Sequence, residues 1–196
     1  MDFCVYSRDA PGTAVLRDDD DLLEAHWSYM DGFADTMIAR GPTLAPDQAT
    51  ATGSLHVLGL PSVAAAVEFV EREPNNRAGV YGEHRIWAFE NLLGRTMWEF
   101  TGDADEPRFL IIAHSGHDRS TPVSVLPPAE LGAGLRERLI VYGTLTEPES
   151  GGMNGVAVAL QAPGRDAALA LLRDGGRGLD AFPCVEIHDW EFGGRR

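Results

Sequence analysis

Three residues recur at one fixed interval along this 196-residue chain: Gly41 and Gly143, Gly53 and Gly155, and Pro61 and Pro163 each stand 102 positions apart. Glycine and proline mark where a backbone turns or lets another backbone come close, so an interval kept through them repeats a unit of fold. In the first copy, the short apolar run Phe3 to Ser7 reads as a strand and the spacing of apolar residues predicts a helix from about Asp19 to Ile38. A Gly-containing strand at Gly41, a strand from Ser54 to Leu58 and a helix from Ser62 to Arg72 follow, with Val63, Val67 and Val70 inward. Glu83 to Phe89 closes the copy as a strand with Ile86 inward. The second copy carries Arg108 to Ala113, Leu139 to Leu145, Val156 to Leu160, Arg165 to Arg173 and Val185 to Phe192 in the same order. Strand, helix, strand, strand, helix, strand is the ferredoxin-like βαββαβ plan, an α+β fold with both helices on one face of an antiparallel sheet. Two such domains, 1–100 and 101–196, are expected, joined by Thr101 to Pro107. The apolar sheet face that no helix covers needs a partner, and the second domain supplies one within the same chain.

Charge narrows what such a chain can bind. The net charge is −14, and all sixteen basic residues are arginine. Clustered cations that release counterions are what nucleic acid and anionic membranes require, so neither is an expected partner. The absence of lysine excludes a Schiff base, lysine-linked pyridoxal chemistry and a phosphate-loop lysine. No apolar run approaches the roughly 18 residues of a spanning helix, and the start lacks the pattern of a secretory signal, which predicts a cytoplasmic protein. Cys4 and Cys184 sit far apart in strand-like runs and read as buried free thiols.

Chemistry concentrates between Tyr6 and Pro42. On the first helix, Leu22, His26, Tyr29, Met30, Phe33 and Met37 share one face, so His26 lies in the apolar stripe that packs on the sheet. Asp9 closes the first strand before a Pro11-Gly12 turn. A His26–Asp9 pair follows as the expected catalytic couple. Arg17 or Arg8 would hold a carboxylate or enolate oxygen, because guanidinium presents paired donors. Asp18 to Asp21 suit the unpaired N–H groups of a helix start better than a metal. In the second half, Pro128 stands where His26 would recur. His114, His117 and Asp118, just past a strand, lack the fixed spacing of zinc motifs and read as solvated loop residues, while His188-Asp189 falls in the last strand, so no metal is expected. His56 and His84, in strands, read as structural or surface residues, with lining of the pocket as the alternative.

Asp9, His26 and Gly41-Pro42, followed by Ala78-Gly79-Val80-Tyr81, resemble the YCII-related family in kind and order. One residue departs from it, since the family's Asp-Pro after the second helix is Glu73-Pro74 here. The resemblance implies a dimeric α/β barrel, here formed by a tandem repeat with a degenerate second copy. It also implies a His-Asp site, with Gly41 and Pro42 beside the substrate. The function expected is a cofactor-independent lyase or isomerase that moves a proton on a small organic acid or enol-type substrate. The alternative is a non-catalytic protein of the same fold that binds a small molecule or assists another subunit, with His26 packed shut and Asp9 capping a turn. A homo-oligomer is left open by either reading.

Overall fold

The computed structural model describes residues 1–115, 125–175 and 182–193. It divides into two compact units, Met1–Trp87 with Glu191–Arg196, and Ala88–Trp190. The division falls inside one continuous strand, β4 (Tyr81–Asn91), rather than in the Thr101 to Pro107 segment read as a linker. The reason is that the last residues of β4, Ala88 to Asn91, pair with Thr146 to Gly143 of the second unit.

In unit 1 the sheet runs β4-β1-β3-β2, with β1 at Asp2–Asp9, β2 at Met37–Leu44 and β3 at Ala51–Gly59. All pairings among β1, β2 and β3 are antiparallel. The helix α1 spans Asp20–Asp31, shorter than expected, because Gly32 ends it and Met37 already belongs to β2. Phe33 and Met37 fit a helical stripe by spacing alone, which is why the sequence pattern overran the true end. Asp19 caps α1, accepting from the Leu22 N–H at 2.9 Å, with Asp20 and Asp21 in the first turn where the helix dipole favours carboxylates.

The helix α2 spans Val63–Arg72 and is capped by Ser62. Its buried stripe is Ala66, Phe69 and Val70, whereas Val67 is exposed and does not face the sheet as expected. Phe69 ties α2 to α1: its ring lies 5.7 Å from Tyr29 and 5.0 Å edge-on from Phe33, and its carbonyl accepts from the Tyr29 hydroxyl at 2.9 Å. Such aromatic pairs add about 0.5–1.5 kcal/mol beyond burial and fix the rotation of α1. A short helix, α3 (Pro74–Arg77), follows with Pro74 at its first position. On β4 the buried residues are Tyr81, Trp87 and Phe89, one pleat out of phase with the expected Ile86.

Unit 2 has the strand order β8-β5-β7-β6, with β5 at Arg108–His114, β6 at Leu139–Thr146, β7 at Met153–Gln161 and β8 at Cys184–Trp190. Its helices are α4 (Ala133–Arg136) and α5 (Arg165–Gly175). Phe109, Ile111, Ala113, Val158, Leu160, Ala168 and Leu172 share one core. The β6–β7 register matches that of β2–β3 at the 102-residue interval: Gly41 faces Leu55, and Gly143 faces Ala157. The irregularities between Met37 and Ala39 and between Thr43 and Leu44 recur between Leu139 and Val141 and between Leu145 and Thr146. Cys4 is buried, which pushes its thiol up to about 12, but Cys184 is exposed at the start of β8 rather than buried. No helix among the described residues is long and apolar enough to cross a membrane.

Gly41 is fixed by close approach. The Glu191 and Gly193 N–H groups donate to the Pro42 and Arg40 carbonyls at 3.2 and 2.9 Å, and a Cβ on Gly41 would overlap the Glu191 carbonyl. Gly41→Ala is therefore expected to cost at least ~1–3 kcal/mol of overpacking. The measurement is a lower urea midpoint at unchanged slope. Wild-type stability in this variant would show that the backbone at 191–193 does not pack there.

Candidate functional site

Within unit 1, α1, β2, β3 and the 191–193 segment enclose a cavity of about 240 Å³. Arg17, His26, Arg40, Ser54, His56 and Asn75 give it a polar, cationic lining, and Leu23, Trp27, Pro42 and Phe192 an apolar one. This mixture, mostly concave with a few convergent polar groups, is what small-molecule sites share.

The carboxylate at His26 is Glu73. Its Oε1 lies 2.5 Å from His26 Nδ1, and the Glu73 side chain is 3% exposed. A carboxylate only accepts, so the proton sits on Nδ1 and leaves the lone pair on Nε2. The Asn75 amide nitrogen, 3.2 Å from Nδ1, therefore does not donate to it. Glu73 is held by its other oxygen, Oε2, which accepts from the Asn76 N–H at 2.8 Å and so caps α3. One side chain thus starts a helix and orients an imidazole. Its backbone is extended, φ −61° and ψ 127°, as a residue before proline prefers.

Asp9, the expected partner of His26, instead receives Arg17. Arg17 Nε and Nη2 donate to the two oxygens of Asp9 at 2.7 and 2.6 Å, a two-pronged pair whose side chains are only 16% and 8% exposed. Asp9 does not line the cavity, while Arg17 does. The physical reason is reach: a guanidinium eight residues on matches both carboxylate oxygens at once, and α1 turns His26 toward the end of α2. Burial alone would lower the Arg17 pKa, but the Asp9 bond and the Tyr81 phenol raise it, so the guanidinium stays charged. Its Cζ lies 5.4 Å over the Tyr81 ring, and Nη2 donates to Ser54 Oγ at 3.2 Å.

Tyr81 donates to Ser54 Oγ at 3.0 Å, and burial, then Glu73, push its phenol up to about 12 despite Arg17. It remains a neutral phenol at cellular pH. His84 is spanned by Ser7 Oγ at 2.9 Å and Asn76 Oδ1 at 2.8 Å, and burial lowers its pKa. It is structural, as the sequence suggested. His56 is buried on the cavity wall, a position that no sequence motif marked. Of the other expected binding residues, Gly41 and Pro42 line the cavity and Arg8 is exposed outside it.

In unit 2, His114 and His188 reach separate oxygens of Glu186, at 3.5 and 3.3 Å. His114 ends β5 rather than lying in a loop as expected, and His188 lies in β8, within the strand expected there. His117 and Asp118 lie outside the described residues. Among the described residues, no three His, Cys, Asp or Glu side chains group as metal ligands.

With the cavity and its imidazole–carboxylate pair in place, the comparison with known families is specific to this half of the chain. Residues 1–90 match the YCII-related domain. That match contains both His26 and Glu73 and every described residue of the cavity except Phe192 and Gly193. Among solved structures, a candidate monooxygenase from Fusobacterium nucleatum is 9% identical with a TM-score of 0.52, covering 97% of this chain and 91% of its own. A candidate chlorite dismutase is 12% identical with a TM-score of 0.52, covering 97% and 95%. At these identities the likeness is one of fold. A 5-chloro-2-hydroxyhydroquinone dehydrochlorinase from Burkholderia phenoliruptrix, in complex with 2,5-dihydroxybenzoquinone, is 26% identical, covers 46% of this chain and 95% of its own, and has a TM-score of 0.42. No curated protein matches the chain.

Proposed function

We propose that the YCII-related half of the chain is a proton-transfer site for a small organic acid or enol-type substrate, working as a lyase or isomerase without a cofactor. The observation that carries this reading is the 2.5 Å contact between His26 Nδ1 and Glu73 Oε1 on the wall of a cationic cavity. The contact fixes the tautomer that leaves Nε2 as a base. As His26 Nε2 takes the proton from carbon, Arg17, paired with Asp9, stabilises the enolate oxygen that forms. Tyr81 and Ser54 support Arg17 rather than act on substrate. In this reading the second half is a diverged copy that kept its strands and lost the histidine, in keeping with the shared 102-residue register and with Pro128 at the matching position.

The test is solvent-deuterium incorporation beside the carbonyl of a panel of 2-oxo acids and cyclic 1,3-diketones, followed by proton NMR. At least one member is expected to exchange faster with protein than in buffer, and His26→Gln is expected to remove about 10²–10⁴-fold of that gain. A panel on which the wild type has no effect, or a His26→Gln variant as fast as wild type, would contradict the proposal.

A further inference from the structure

Two basic residues on the cavity wall have no part in the His26–Glu73 pair. Arg40 on β2 and His56 on β3 are direct register partners, so their side chains stand on the same face of the sheet. Both are buried, at 6% and 3% exposure, and both line the cavity. Arg40 is anchored from behind: Nε donates to the Gly193 carbonyl at 3.2 Å, and Asp31 lies 3.8 Å from Nη2. Among the described residues, the His56 ring meets His26 at 6.0 Å and Phe69 edge-on at 5.5 Å, and it lines the cavity, where a ligand carrying an acceptor would give it a hydrogen bond.

The charges around His56 specify the ligand. Arg40 faces it from β2, His26 from α1 and Arg17 from the 3-10 segment before α1; its partner on β1 is the apolar Val5, and α2 offers Phe69. The acids belong to other groups: Asp9 to Arg17, Glu73 to His26, and Asp31 to Arg40. Tyr81, held at about 12, adds no charge. Burial first, and then the positive charge of neighbours such as Arg40 and Arg17, keep His56 neutral.

We propose that Arg40 and His56 form an anion subsite that seats a carboxylate group of the ligand, with His56 taking up a proton as the carboxylate enters. This rests on the cavity being a small-molecule site, and it adds where the acid group of the ligand lies relative to His26. An arriving carboxylate offsets the repulsion that keeps the ring uncharged and accepts a hydrogen bond from it. Because the bound state holds one proton more than the free state, affinity rises as pH falls.

Benzoate and its uncharged counterpart benzamide are suitable probes for calorimetry at pH 7 in two buffers of different ionisation enthalpy. Wild type is expected to take up close to one proton per benzoate bound, and to bind benzamide at least about tenfold more weakly with no uptake. His56→Leu is expected to abolish the uptake and weaken benzoate about tenfold. Arg40→Lys is expected to keep most of the affinity and Arg40→Met to lose it. No benzoate binding by wild type, equal binding of benzamide, or unchanged uptake in His56→Leu would overturn the subsite. The two readings fail separately in the wild type. Intact proton-linked benzoate binding in a wild type without exchange chemistry would sink the proton-transfer function and leave the subsite. Exchange chemistry without proton-linked binding would do the reverse.

Discussion

Asp9→Ala is expected to be among the most destabilising single substitutions in unit 1, at about 3–5 kcal/mol. The argument turns on what is left behind rather than on what is lost. Arg17 and Asp9 are paired through two short bonds in a largely buried position, at 16% and 8% exposure. Removing the carboxylate leaves a guanidinium that cannot shed its proton, enclosed by Tyr81 and Ser54. The double variant Asp9→Ala with Arg17→Met should recover much of the loss, because no buried charge then remains unpaired. Urea unfolding of the two singles and the double gives the coupling directly. A single variant within about 0.5 kcal/mol of wild type, the range of ordinary surface substitutions, would show that Asp9 is not the ballast for Arg17.

The second large effect is on chemistry. Glu73→Gln keeps the size of the side chain, and its amide can still accept from the Asn76 N–H that Glu73 now caps at 2.8 Å. What it loses is the charge beside His26 and the demand that Nδ1 carry the proton, since an amide can donate as well as accept. On any substrate that passes the deuterium-exchange screen, the turnover of this variant is expected to fall about 10²–10⁴-fold while the fold survives. Asp9→Asn, by contrast, should act on stability and on the placement of Arg17. Equal losses of turnover in the two variants at matched stability would mean that Glu73 is not the orienting acid.

Much of this arrangement is legible from the residues alone. Glycines at a 102-residue interval, Gly41 and Gly143 with Gly53 and Gly155, mark strands of both halves because close backbone packing there tolerates no side chain, as Gly41 against Glu191 shows. His26 is findable by its place in an apolar stripe. Proximity to a strand end favours Asp9 as its partner in the sequence, whereas in the structure α3 brings Glu73 to it. That single turn of helix is too short to leave a periodic signal, and it begins with a glutamate, an unusual cap. The Glu73-Pro74 dipeptide was the signal available, since a carboxylate held extended by a following proline is a fixed acid. Arg40 and His56 carry no pattern at all: adjacent on the wall through cross-strand register, they lie sixteen positions apart in sequence.

The most direct test of the central claim is a proton NMR search for the His26 Nδ1–H resonance, with the imidazole nitrogens labelled to report the tautomer. The wild type is expected to show a far-downfield proton on Nδ1, as a 2.5 Å contact to a carboxylate implies, absent in His26→Gln and Glu73→Gln and retained in Asp9→Asn. A proton found on Nε2 in the wild type, or a downfield signal that survives Glu73→Gln and vanishes in Asp9→Asn, would contradict the account.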